Sequence, residues 1–486
     1  MSRFRPDFNA ANIGQGGSIA LPRPMGGAKG SKLVKPLMEA VRKPIAAAQD
    51  RIAEFNRAYP ERIGGILAFL GVYLTFQMAA VGELISALAG GAYIPVVGVM
   101  AAIASLAFLV SRDMFAFFHI SLWKPWVLFG IWFVLSTAFS TYLTGSFATM
   151  WPYILRTFVL PWFICAAVSR AKHIRYLLYC GAAAQGVILL ICTIWGTYQG
   201  GRFFVPIVAA FGNPNDLALT LLVIGSFMLL LLYRGKFFRK TLCFIASAAT
   251  LIFVFRTGSR ANFMTVLFVA GVVLLFAPLR ARLTALIIGP VLAAILVVAL
   301  PASTWTRLTF VFLDPTGVNT DDPTLQGALG SQVARTELQL RAIQLSARNP
   351  LFGVGPSTFA DQVERLTRLE LRLGGSGWQQ AHNAYLEVAA EMGIPGFIAF
   401  TWSMLGALVM SIKSMRRCSR EPALRDYFAQ SLCLSLAASV YTLGLYFSNF
   451  TYYSFMPIII GLISANALAL NREAQLAREI EAAQAS

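Results

Sequence analysis

Residues 213–240 read NPNDLALTLLVIGSFMLLLLYRGKFFRK. Asn213 is a helix cap, Pro214 suits the first helical position, and Asp216 is the carboxylate three positions on. An apolar run then continues to Tyr233, and Arg234, Lys236, Arg239 and Lys240 close it. A helix needs roughly 18 to 20 such residues to cross a bilayer.

Runs of this kind recur along the 486 residues, of which 57% are hydrophobic and 13% charged. They predict an all-α polytopic membrane protein with about twelve spans, roughly 63–83, 92–111, 123–143, 150–168, 175–196, 214–233, 239–256, 261–278, 283–300, 384–411, 427–447 and 452–470. Alternate loops carry the basic residues. The segment up to Arg62 and every second loop after it hold 29 of the 40 Lys and Arg, which puts both termini in the cytoplasm by the positive-inside rule. The expected organisation is a basic cytoplasmic segment 1–60, spans one to nine over 61–300, an outward loop 301–383, spans ten to twelve over 384–471, and a cytoplasmic tail 472–486. Residues 1–31 read as disordered, and 32–58 as an amphipathic helix on the inner face.

The net charge of +18 is scattered over inner loops, where it sets orientation and meets anionic membrane lipid, so no nucleic-acid partner is expected. Of the six cysteines, five lie in apolar runs and Cys418 in an inner loop, so no outward disulfide framework is expected. No metal-ligand spacing appears, and neither metal nor cofactor is expected.

The remaining 11 basic residues are all Arg: Arg156, Arg202, Arg256, Arg260, Arg307, Arg335, Arg341, Arg348, Arg365, Arg368 and Arg372. They lie on the outward side, where topology disfavours basic residues. The guanidinium offers a planar fork suited to phosphate, so an anionic ligand is the obvious reason. Seven of the 11 fall in the long loop 301–383, which carries helical pattern at Gln332–Ala347 and from Pro356 to Arg372 and reads as a folded cap.

Within that outward set, Arg260 follows the turn Thr257-Gly258-Ser259 at a helix N-terminus, and Arg256 is close by. Arg335 and Arg341 are six apart, so they do not share a helix face. Of three histidines, His119 and His173 read as solvated inner-loop residues. His382 faces outward, just ahead of Asn383 and the tenth span. Its side chain is poised near neutral pH to take a proton. Glu387 and Glu391 fall inside that span as intramembrane carboxylates. Asp321-Asp322 reads as a solvated pair.

These pieces, in this order, resemble the O-antigen ligase and O-antigen polymerase superfamily, which includes bacterial protein O-oligosaccharyltransferases. The resemblance rests on Gly212-Asn213-Pro214-Asn215, Ser259-Arg260, Arg335, Pro350-Leu351-Phe352-Gly353-Val354-Gly355, and His382-Asn383 followed by Leu386, Glu391, Gly393 and Gly396. Many members carry Gly after the Ser-Arg pair, and here Ala261 follows.

The resemblance implies a C-type glycosyltransferase architecture in the bacterial inner membrane. The enzyme would be metal-independent and would move a glycan from undecaprenyl pyrophosphate to an acceptor hydroxyl at the periplasmic face. The acceptor would be a lipid A-core or another glycan. It further implies Arg260 and Arg335 as pyrophosphate binders and His382 as catalytic base. Arg256, Arg341, Asn213, Asn215, Asn383 and Glu391 stand beside them as supporting candidates. Fixed Arg donors can stabilise a developing pyrophosphate charge, and neighbouring cations keep an imidazole neutral and able to accept. A repeat-unit polymerase, a protein O-glycosylase and a lipid-linked glycan flippase stand as alternatives.

Overall fold

The structure, a computed structural model, describes residues 49–309, 323–371 and 380–485, apart from 93, 110, 112 and 277–278. Most of residues 1–60, the pair Asp321-Asp322 and Arg372 therefore lie outside the described residues. Glu54–Arg478 form one compact unit. Residues 49–53 and 479–485, described only in part with their own unit, are helical.

The described chain is almost wholly α-helical, with one two-stranded hairpin. Its helices are α1 (Gly65–Met78), α2 (Val81–Leu88), α3 (Val96–Leu109), α4 (Trp123–Ala138), α5 (Leu143–Tyr153), α6 (Leu160–Ala167) and α7 (Ala171–Trp195). The hairpin β1 (Thr197–Gln199) and β2 (Arg202–Phe204) follows. Then come α8 (Pro214–Tyr233), α9 (Phe237–Arg256), α10 (Arg260–Phe276), α11 (Leu279–Ala299) and α12 (Ala302–Thr309). After these stand α13 (Pro323–Arg348), α14 (Phe359–Leu371), α15 (Ala384–Arg420), α16 (Phe428–Gly444) and α17 (Phe455–Ala485).

A helix stands at each of the twelve expected spans, but length and apolarity single out fewer as crossing helices. Among the described residues five pass, namely α7, α8, α9, α15 and α17, or six if the bent pair α1 and α2 counts as one span. The shortfall has local causes. The run 63–83 breaks at Ala80, in left-handed conformation, and turns by 64°. The run 150–168 holds Pro152 and Pro161, which remove ladder donors. A π-helical turn, Ile154–Phe158, replaces the straight helix there, and the Trp126 indole donates to the Phe158 carbonyl at 3.0 Å.

Helix α17 occupies the middle of the bundle, with 83% of its apolar window buried, whereas α9 is peripheral at 17%. At the end of the bundle away from His382, Arg170 is 3% exposed and reaches Glu473 at 2.8 Å and Glu61 at 3.0 Å. His173 belongs to this network and is not solvated: it is 3% exposed, its Nδ1 accepts from the Ser169 N–H, and its Nε2 meets the Glu61 carbonyl at 3.2 Å. Two backbone groups, one of them the distant Glu61 carbonyl, hold the ring inward, which a count of nearby basic residues does not reveal. His119 is exposed, as expected.

Helix α15 is kinked at Gly393, whose φ of 70° and ψ of −177° few residues but glycine adopt. Pro350–Pro356 docks against that kink. Val354 and Gly355 donate to the Ala390 and Glu391 carbonyls, each at 2.9 Å, and Ile394 donates to Pro350 at 2.8 Å. Ser136 of α4 and the Trp132 indole add bonds to the same two segments. Backbone thus meets backbone, and the glycine-punctuated motif is a docking strap. Behind it, Leu338, Ala342, Leu345, Phe359 and Val363 of α13 and α14 share a separate core with Val354, Ala381 and Ala390.

Candidate active site

The strap and its core decide where His382 sits. Ala381 is fully buried in that core, and the Ala384 N–H donates to Leu445 at 2.9 Å. Between them His382 takes φ +51°, a left-handed conformation unusual for a side chain of its size. Asn383, 2% exposed, caps α15 by accepting from the Tyr385 and Leu386 N–H groups, both at 3.1 Å. One turn on, the Glu387 carboxyl accepts from the Ala381 N–H, and its Oε2 has no other partner among the described residues. Glu387 therefore holds the peptide that presents His382. It was visible in the sequence as an intramembrane carboxylate, but nothing there tied it to His382.

Glu391 has a different task. Its carboxylate accepts from the Ser357 and Phe359 N–H groups, each at 2.9 Å, and from the Tyr452 hydroxyl. It caps α14 from another helix.

The arginines converge from four elements. Gly258, at φ +60°, turns α9 into α10, and a Cβ there would lie 3.1 Å from Cδ of Arg307 and 3.8 Å from Cγ of Arg202. Two guanidinium stems thus cross the bare turn. Arg202 of β2 donates to the Thr257 carbonyl at 3.2 Å and to Asn215 Oδ1 at 2.8 Å. Asn262 Nδ2 donates to the Asn215 carbonyl at 3.0 Å and to Ser259 Oγ at 2.9 Å, so the Asn-Pro-Asn and Ser-Arg motifs meet. Asn213 caps α8, accepting from the Asn215 N–H at 2.9 Å. Arg260 donates to Gln332 at 3.4 Å. Arg307 is 8% exposed, and its Nε has no partner among the described residues.

Arg335 extends the buried stripe Leu338, Ala342, Leu345 of α13 by one step, at spacings of three, four and three. That stripe turns it toward the bundle. It lies within electrostatic reach of Arg260 and of Asp216, which also faces Arg202. Arg341, half-buried on the same helix, lies off the stripe. Arg256 lies within reach of Tyr198 on the hairpin.

Like charges gathered in this way repel one another. Burial, then Arg307, Arg335 and Arg260, push Arg202 below the usual arginine value. Burial, then neighbouring arginines, do the same to Arg307 and Arg335. His382 is pushed down to about 4, by burial first and then by Arg335 and Arg202. The imidazole is therefore neutral at pH 7 and free to accept a proton. Among the described residues Asp216 is the carboxylate that faces Arg202 and Arg335, so the cluster suits an anionic ligand. Arg202 and Arg307 were visible in the sequence only as members of the outward set, because the turn at Gly258 that gathers them is a tertiary contact.

Among the described residues no group of three or more His, Cys, Asp or Glu is placed to hold a metal ion. Residues 245–401 match the family model described as O-antigen ligase. That stretch contains Arg260, Arg307, Arg335 and His382, while Arg202 and Asn215 precede it. No curated protein matches the chain.

Proposed function

We propose, from the match of residues 245–401 to the family model described as O-antigen ligase, that the chain is an inner-membrane glycan ligase working at the periplasmic face. Its donor is a glycan on undecaprenyl pyrophosphate, and its acceptor is a sugar hydroxyl of a lipid A-core. The observation that carries this reading is the approach of Arg202, Arg260, Arg307 and Arg335 to one another beside a neutral His382.

In the reaction the acceptor oxygen attacks the anomeric carbon, and the bond from that carbon to the pyrophosphate oxygen breaks. The electron pair leaves on undecaprenyl pyrophosphate, whose growing charge the arginines stabilise with preorganised donors. The acceptor proton passes to His382. An imidazole held near 4 is a weak base in the empty site. A bound pyrophosphate offsets the arginine charges and raises it toward the useful range. Base strength therefore arrives with the donor, which protects the site from idle chemistry.

Asp216 orients Arg202 and Arg335, Asn215 holds Arg202, and Glu387 fixes the peptide ahead of His382. The test is transfer by the purified protein in detergent, with the host's lipid-linked glycan as donor and its core glycolipid as acceptor. Glycosylated acceptor should form in step with free undecaprenyl pyrophosphate; no product with both lipids present defeats the reading.

A further inference from the structure

A cavity of about 540 Å³ lies beside this site, within the range of roughly 300–1,000 Å³ usual for small-molecule pockets. The broken helix opens it. Helix α1 has 14 residues, a rise of about 21 Å, short of the ~30 Å hydrocarbon core, so the break at Ala80 and the start of α2 fall at bilayer depth. The lining includes Gln77, Glu83, Phe211, Tyr452, Tyr453 and Ser454. Glu83 is the one charged residue among the described lining residues.

We infer that this cavity receives the sugar of the acceptor, an inference that rests on the ligase reading above. Three observations carry it. First, the charge is opposite to that of the arginine cluster. A lone carboxylate repels phosphate and accepts hydrogen bonds from hydroxyls, so the cavity is not an extension of the pyrophosphate site. Second, the rings of Tyr452, Tyr453, Phe76, Phe211 and Phe455 beside a few polar groups suit a sugar ring, with its apolar faces and hydroxyl rim. A lipid chain would have no use for Glu83 or Gln77.

Third, the two sites share a wall. Glu83 Oε2 accepts from the Ala210 N–H at 2.8 Å, and five residues on Asn215 Oδ1 accepts from Arg202. The Tyr452 hydroxyl donates to Glu391, and Tyr453, 36% exposed, lies within electrostatic reach of Glu83, Asp216 and Glu387. Through Tyr452 and Tyr453 the cavity thus adjoins Glu391 and Glu387, the second of which holds the peptide ahead of His382.

Two variants test the assignment in the steady-state transfer assay. Glu83→Gln keeps an oxygen for the Ala210 N–H but turns the other oxygen into a donor. Ser454→Trp puts a bulky ring into the cavity from another lining position. Both should raise the acceptor KM about tenfold or more, as loss of a hydrogen bond to a charged group does. The donor KM and the binding of undecaprenyl pyrophosphate by titration calorimetry should stay within about twofold. If the native protein transfers glycan and Glu83→Gln leaves the acceptor KM unchanged, the cavity is not the acceptor subsite and the ligase reading stands. If the donor KM rises instead, the cavity holds donor glycan and the inference is overturned. If the native protein transfers nothing, both fall together.

Discussion

Gly353 and Gly393 interlock. A Cβ on Gly353 would stand 2.2 Å from the carbonyl carbon of Glu391, and a Cβ on Gly393 would stand 2.2 Å from the carbonyl oxygen of Leu351. Each glycine makes room for the other's strand of main chain, and both have positive φ. The strap and the kinked helix are two halves of one joint, and His382 hangs from it.

Gly353→Ala and Gly393→Ala should therefore each cost more than about 2 kcal/mol, from backbone strain alone. Thermal unfolding in detergent should show the loss, and limited proteolysis should cut the 323–371 segment faster. Native-like melting in both variants would mean that the joint is dispensable.

Arg260→Lys, Arg335→Lys and Arg202→Lys keep the charge and lose the bidentate fork. All three should accumulate in the membrane and be impaired in transfer by about tenfold or more, with weakened binding of undecaprenyl pyrophosphate. Full activity in any one removes that residue from the donor site.

The pH dependence has a definite sign. In the empty enzyme His382 sits at about 4, below its ordinary value, so the base is already neutral through the physiological range. Rates measured as kcat/KM should be flat from about pH 5 to 8 and fall only below that. In the donor complex the pyrophosphate charge raises the group, so the acid limb of kcat should lie at higher pH than that of kcat/KM. Arg335→Gln removes a cation that lowers the group and should move the kcat/KM limb upward too. His382→Ala should lose at least about 10² in kcat at every pH. Coincident limbs, or an active Ala variant, would take the proton-accepting role from His382.

In the proposed mechanism arginine does what a divalent cation would otherwise do, neutralising the leaving group. Transfer should accordingly survive excess EDTA. Activity that vanishes and returns with Mg²⁺ or Mn²⁺ would send attention to Asp321 and Asp322.

Val333 on α13 is 64% exposed, whereas the cysteines at 165, 192, 243, 418 and 433 are buried. Val333→Cys should react with a membrane-impermeant thiol reagent added from the periplasmic side of intact spheroplasts. Labelling only after lysis would reverse the proposed orientation.

The elements were legible in the sequence because apolar runs and caps are local signals. Asn213, Asn383 and Gly258 do at close range what their residue types suggest. The candidate residues of the site were legible as types, Arg and His, and the structure brings Arg335 within electrostatic reach of both Arg260 and His382. What stayed hidden depends on partners far away in the chain. Nothing near Glu391 says that it caps α14, nothing near Glu387 says that it holds Ala381, and nothing near Arg202 says that it crosses Gly258. His173 was misread for the same reason, since Glu61 and Glu473 lie about 110 and 300 residues away.

The bend at Gly393 has a mechanical consequence. The first nine residues of α15, which follow the cap Asn383 and carry Glu387 and Glu391, are bolted to the strap, and the longer stretch beyond the bend is exposed at Ile398, Trp402 and Leu405. The bend acts as a universal joint between an instrument mount and its mast. When bilayer thickness changes, the mast can tilt while the mount keeps its alignment. Turnover in vesicles of short-chain and long-chain lipids should then differ far less than helix tilt does.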